Sequence, residues 1–253
     1  MELFAHEAGA GDETIVLLHG FGGTHRAWHA VLPPLAASHR VLAYDLPGHG
    51  ASLDWPQAGP AKVAARAVLG DLARRGISRA HLAGHSMGGA VAVLAGLFEP
   101  ARVASLSLLA PGGFGPEINH RLLMRFAAAR DAHSLRSCLE AMVGWYSPVP
   151  EDAVAAALEM RADARQTAML LQIGAQLALN GRQGEIPRSA LATLAMRVQL
   201  VWGRIDNVLP VFQGENLPAS FAMHVLPDTG HMLPDEAPQF VVERILAFAS
   251  SGS

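Results

Sequence analysis

The sequence predicts an α/β protein: a doubly wound, mostly parallel sheet with an inserted helical cap. Three observations predict it. Continuous apolar runs recur at Thr14–Leu18, 41–44, Val103–Leu109 and 197–202, the pattern of strands buried on both faces. Helix-like stretches alternate with these runs, as the right-handed crossovers of a parallel sheet require. From residue 114 to about 185 the alternation stops, and apolar residues fall instead at spacings of three and four.

Length and composition bound the answer. A chain of 253 residues can bury a sizeable core, and one domain is expected, with core segments 1–113 and 186–253 and a cap at about 114–185. Hydrophobic residues make up 51% and charged residues 16%, yet no apolar run approaches the ~20 residues of a membrane span. A net charge of −3 offers neither the basic footprint of a nucleic-acid binder nor a polybasic patch for membranes, so small molecules are the expected partners. Residues 1–7 lack the basic and apolar regions of a secretory leader, and the single cysteine, Cys138, cannot form an intrachain disulfide. A cytoplasmic location is expected. Oligomeric state is left open.

In chain order, the run Thr14–Leu18 ends in His19-Gly20-Phe21-Gly22-Gly23, whose glycines let backbone N–H groups face a cavity. A helix is expected over 28–38, a strand over 41–44, and a tight loop over Asp45-Leu46-Pro47-Gly48-His49-Gly50-Ala51-Ser52. Val63, Ala67, Val68 and Leu72 mark a helix over 61–75. A strand at 79–83 and an Ala/Leu/Val-rich helix at 88–98 follow, with Ser86 at the turn between them. Val103–Leu109 is a strand ended by Ala110-Pro111-Gly112-Gly113. The cap helices carry Leu122, Leu123 and Phe126, then Leu135, Leu139, Met142 and Val143, then Met169, Leu170, Ile173 and Leu177, broken at Pro148 and Pro150. Strands at 197–202 and 221–226 and an amphipathic helix at 234–249 close the chain.

Gly84-His85-Ser86-Met87-Gly88 is a Gly-x-Ser-x-Gly pattern between a strand and a helix. That context makes it a nucleophile elbow, with the hydroxyl held at a helix N-terminus. A serine nucleophile needs a base, and the base an orienting carboxylate, both at the carboxyl ends of later strands. Asp206 and His231 stand there, giving the chain order Ser86, Asp206, His231. Asp228 is the rival carboxylate, but three residues before His231 it suits bracing that loop. The backbone N–H groups of Met87 and Phe21 are the expected oxyanion hole. His19, His49 and His85 read as packing or hydrogen-bonding residues, Asp45 as a brace for its glycine turn and Cys138 as cap packing. Phe114, Trp145 and Tyr146 are candidate substrate contacts, with Met124, Phe126 and Met142 as further pocket candidates. No metal-ligand spacing, P-loop or dinucleotide fingerprint is present, so no metal or cofactor is expected.

These motifs, with Trp202-Gly203-Arg204-Ile205-Asp206 and Gly230-His231, resemble the α/β-hydrolase family over essentially the whole chain. The stretch 109–119, Leu-Ala-Pro-Gly-Gly-Phe-Gly-Pro-Glu-Ile-Asn, looks like the hydrolase-type domain of the dihydrolipoamide acetyltransferase component of bacterial acetoin dehydrogenase complexes. There the domain follows a lipoyl domain; here the chain begins at the first hydrolase strand and lacks the His-x-x-x-Asp-Gly motif of the acyltransferase core. A stand-alone relative is therefore expected. A serine nucleophile argues against the dehalogenases and epoxide hydrolases of the family, whose pattern uses aspartate. The expected activity is hydrolysis of a small or medium carboxylic ester or thioester through an acyl-enzyme. Carbon–carbon bond hydrolysis in aromatic degradation, acyl transfer, and a non-catalytic docking or binding module are the alternatives.

Overall fold

The computed structural model describes residues 2–250. Its centre is a seven-stranded sheet with strands β1 (Ala5–Ala8), β2 (Thr14–Leu18), β3 (Arg40–Tyr44), β4 (Ala80–His85), β5 (Val103–Leu109), β8 (Arg197–Gly203) and β9 (Ala222–Leu226). The spatial order is β1-β3-β2-β4-β5-β8-β9. Only β1 runs antiparallel, pairing Ala5 with Tyr44 and Ala8 with Val41. Sequence reasoning missed this edge strand, whose half-exposed residues carry no apolar run. β2, β4 and most of β5 and β8 are buried throughout, which accounts for their unbroken apolar character.

Around the sheet lie α1 (Leu32–Ala36), α2 (Ala61–Arg74), α3 (Met87–Phe98) and α10 (Pro238–Ala249), with one-turn α9 (Leu233–Glu236) before the last. Two expected helices are corrected. The helix expected over 28–38 is a Thr24-capped 3₁₀ turn, His25–Trp28, followed by α1, because Pro33 and Pro34 lack N–H donors and fit only a first helical turn. The closing helix is likewise divided at Ala237 ahead of Pro238.

Between β5 and β8 the chain forms the cap helices α4 (His120–Ala128), α5 (Ala132–Glu140), α6 (Glu151–Met160) and α7 (Ala164–Leu177). A two-stranded hairpin, β6 (Ala178–Leu179) and β7 (Arg182–Gln183), and the short α8 (Arg188–Leu191) complete this segment; neither was foreseen. Polar clamps dock the cap. The Gln166 amide accepts from Gly50 N at 2.9 Å and donates to Gly48 O at 2.8 Å, fixing α7 to the loop after β3. Gln183 does the same for the loop after β5, accepting from Gly113 N at 3.0 Å and donating to Glu117 O at 3.1 Å.

The chain winds from β2 to β3 on one side and returns to β4 on the other, so the loops after β2 and β4 diverge at their carboxyl ends. A crevice at that switch point is the expected ligand site of an open α/β sheet. Two buried histidines brace the loops beside it. His19 donates from Nδ1 to Gly20 O at 2.7 Å and accepts from Leu46 N at 2.9 Å. His49 donates from Nδ1 to Pro47 O and accepts from Gly22 N, each at 3.2 Å. Burial, reinforced by neighbouring His19, pushes the His49 pKa down to about 3, so the ring folds neutral. Asp45 holds the same loop, accepting from His25 N at 2.7 Å, His25 Nδ1 at 2.8 Å and Ala51 N at 2.9 Å.

A histidine whose folded pKa lies below its unfolded value stabilises the fold fully above about pH 6.5, and that stability is lost as pH falls toward 3. We expect the melting temperature to fall steadily over this window and the His49→Gln variant to show a flatter fall, measured by thermal denaturation between pH 7 and pH 4.

Candidate active site

Ser86 lies where β4 ends and α3 begins, with φ +53° and ψ −117°. Side-chain-bearing residues rarely adopt this conformation, which costs about 1–3 kcal/mol. Close approach on either side maintains it. A Cβ at Gly84 would overlap the carbonyl of Gly88, and one at Gly88 would overlap the carbonyl oxygen of Leu18. The backbone of Ser86 donates to Leu109 O and accepts from Gly112 N, each at 2.9 Å, so the turn is bound to β5 and its following loop. The side chain therefore stands at the N-terminus of a twelve-residue helix.

Asp206 follows β8 and His231 follows β9. His231 Nδ1 donates to Asp206 Oδ2 at 2.7 Å, leaving Nε2 as the ring's acceptor. Asp206 Oδ1 accepts from Val208 N at 2.8 Å and Leu209 N at 2.9 Å. Both side chains are almost wholly buried. Asp228, the rival carboxylate, is exposed.

The backbone of His231 is fixed as firmly as its ring. Its N–H donates to Met142 O at 2.7 Å, and its carbonyl accepts from His85 Nε2 at 2.8 Å. Burial first, then the adjacent His231, lowers the His85 pKa to about 3, so His85 is a neutral donor. The Glu236 carboxylate accepts from Gly144 N at 2.7 Å, Gly230 N at 2.9 Å and Met232 N at 2.9 Å. One side chain thus ties the histidine loop to the loop after α5. Sequence reasoning missed Glu236; its position five residues past His231, in the only acidic pair of that loop, was the available signal.

Ser86 and His231 face one cavity, open to solvent at its mouth. The loop 20–24 forms its core wall, and Leu123, Phe126, Leu139, Met142 and Met160 are among its cap residues. Phe21 lies in that wall, and among the described residues neither its N–H nor that of Met87 has a protein acceptor. The three candidate substrate contacts are elsewhere. Phe114 is buried against the edge of Trp202, with ring centroids 6.4 Å apart, and does not line the cavity. Trp145 and Tyr146 are 80% and 84% exposed. Helix α5 ends at Glu140, and Gly144, packed against the backbone of Asp228, begins a turn that faces them to solvent. Of the further pocket candidates, Phe126 and Met142 line the cavity and Met124 does not. Among the described residues, no three His, Cys, Asp or Glu side chains are grouped to hold a metal ion.

The model of the alpha/beta hydrolase family matches residues 15–244. The chain is 37% identical over 240 residues to the dihydrolipoyllysine-residue acetyltransferase component of the acetoin cleaving system of Pseudomonas putida. The match covers 95% of this chain and 64% of that protein, so the chain spans less than two thirds of this relative's length. It is 31% identical over 244 residues to a 2-hydroxy-6-oxononadienedioate/2-hydroxy-6-oxononatrienedioate hydrolase of Cupriavidus pinatubonensis, covering 90% of this chain and 84% of that one. The crystal structure of a bacterial membrane phospholipase A superposes with a TM-score of 0.80 at 28% identity, covering 97% of this chain and 85% of that chain.

Asp235, on the same cavity wall, has its pKa raised to about 6 by burial, with neighbouring Glu236 adding to the rise and His29 opposing it. A carboxyl with a raised folded pKa costs nothing below about pH 4, where it is protonated in both states, and its cost grows until about pH 6. We expect Asp235→Asn to raise stability by about 2 kcal/mol at pH 7.5 and by nothing at pH 3.5, measured by denaturant titration at both pH values.

Proposed function

The chain belongs to the alpha/beta hydrolase family, and on that premise we propose that it is a serine hydrolase cleaving a small or medium carboxylic ester or thioester. The observation that supports this most is that His231, hydrogen-bonded to Asp206, shares one cavity with a serine at a strained strand-to-helix turn. In this reading His231 Nε2 takes the Ser86 hydroxyl proton as Oγ attacks the acyl carbonyl. Asp206 holds the Nδ1–H tautomer and stabilises the imidazolium. The N–H groups of Phe21 and Met87 receive the oxyanion, and losing one such donor costs about 3 kcal/mol of transition-state stabilisation. Collapse returns the proton from His231 to the departing alcohol or thiol, leaving an acyl-Ser86 ester. Water, deprotonated by the same imidazole, then releases the carboxylic acid and restores Ser86.

The apolar cap wall suits an acyl chain or an apolar alcohol. Among the described residues no helix is long and apolar enough to cross a membrane, and the lone Cys138 is free and buried; both are compatible with the cytoplasmic enzyme we infer. A second reading, carbon–carbon bond hydrolysis, draws support from the 31% identity to a hydrolase of that type. The same serine, histidine and aspartate would serve it. Acyl transfer draws on the likeness to the acetyltransferase component and differs only in what accepts the acyl group.

Hydrolysis of p-nitrophenyl esters of graded acyl length tests the first reading. We expect wild type to turn over a preferred chain length and to be labelled by a fluorophosphonate, and Ser86→Ala to lose about four orders of magnitude in kcat. A wild type that neither hydrolyses nor is labelled contradicts it; turnover of a vinylogous 1,5-diketone acid instead would select the carbon–carbon reading.

A further inference from the structure

The cavity wall is apolar on the cap side, but on the core side it carries a carboxyl that the reaction described above does not use. Asp235 lines the cavity with only 7% of its side chain exposed. Among the described residues its carboxylate accepts no hydrogen bond; His29 Nδ1 lies 3.9 Å from it. Local backbone donors are already engaged. The N–H groups of Gly144, Gly230 and Met232 donate to Glu236, and Asp235's own N–H donates to Met232 O. Asp235 is a largely buried carboxyl with no hydrogen-bonding partner among the described residues, and it borders the open cavity, from which a ligand group can reach it.

The other polar groups on this wall are committed. His85 donates to the His231 carbonyl. The Arg26 guanidinium is paired with Glu159 of α6, and Thr24 Oγ1 accepts from Arg26 N. Asp235 is the only acidic residue of the lining, among the described residues, and His29 stands beside it at the rim, 40% exposed.

We propose that Asp235 and His29 form a polar subsite that recognises a hydroxyl group carried on the substrate's acyl or alcohol arm. The inference rests on reading this cavity as the substrate site of a serine hydrolase, and it names the substrate class: a hydroxylated ester or thioester. The separation selects the ligand group. Two groups 3.9 Å apart are too distant for a direct hydrogen bond, yet one hydroxyl oxygen at about 2.8 Å from each bridges them, donating to the carboxylate and joined to the imidazole as its acceptor or donor. A substrate carboxylate would meet the charge of Asp235. A neutral hydroxyl meets no such repulsion. A site with a buried group built to bond a hydroxyl also discriminates strongly against the analogue lacking it, because that group is then left unpaired.

Binding can be read independently of catalysis. Ser86→Ala is titrated calorimetrically with anilides of a straight-chain acid bearing a hydroxyl at successive positions, each beside the unsubstituted anilide and the matching dicarboxylic acid monoanilide. We expect one hydroxylated anilide to bind at least tenfold tighter than its parent, and the dicarboxylic analogue to bind more weakly than the parent. In Ser86→Ala/Asp235→Leu the hydroxyl preference disappears; in Ser86→Ala/Asp235→Asn, which keeps the shape, it falls at least threefold because a neutral acceptor replaces a charged one. A hydroxyl preference that is absent at every position, that survives both Asp235 substitutions, or that is exceeded by the carboxylate overturns the proposal. Failure of the serine-hydrolase reading would appear separately, as absent ester turnover and labelling in wild type.

Discussion

The backbone of Ser86 is the constraint on which the rest depends. At φ +53° the chain leaves β4 and enters α3 within one residue, and the hydroxyl has nowhere to go but the crevice. That geometry excludes side chains at positions 84 and 88, where any Cβ would collide with backbone. It also requires β5 to run alongside, because Leu109 O and Gly112 N take up the backbone groups of Ser86. Strain of this kind persists only when the surroundings over-determine it. Here a sheet neighbour, a helix and the β2 loop all do.

Around that point the protein uses neutral, buried polar groups as rigid supports. His85 holds the carbonyl of His231, His49 holds Gly22 N, and His19 holds Leu46 N, each ring accepting or donating in one fixed tautomer. Desolvation keeps His49 and His85 uncharged, so the supports add no cation beside the imidazole that would become positive in the reaction. Glu236 performs the same service with a carboxylate, joining the histidine loop to the cap. Cap position and histidine position are therefore coupled through this side chain and through the His231 N–H bond to Met142 O, and a displacement of α5 would be felt at His231.

The sheet was legible because strands buried on both faces must be apolar throughout, and the residues after them sit where their strands end. The positions of Ser86, Asp206 and His231 after their strands followed from that rule together with the Gly-x-Ser-x-Gly pattern and the chain order. The edge strand Ala5–Ala8 could not, since a half-exposed edge leaves no apolar signature. The cap was legible as helix but not as pocket. Apolar spacing says which residues are covered, not by what: Phe114 is covered by Trp202, Phe126 faces the cavity, and Trp145 and Tyr146 stand largely in solvent. Asp235 and Glu236 are adjacent and chemically alike, yet one binds three backbone N–H groups and the other none, a difference that only three-dimensional packing decides.

In the proposed reaction Ser86 carries the acyl group between two half-reactions. The most direct measurement is intact-protein mass followed by peptide mapping, after acid quench of wild type reacting with an activated ester on the millisecond timescale. We expect a mass gain equal to the acyl group, confined to the peptide containing Ser86 and absent from His231→Ala quenched at the same times. Turnover with no adduct at any time, or an adduct on another residue, would contradict it.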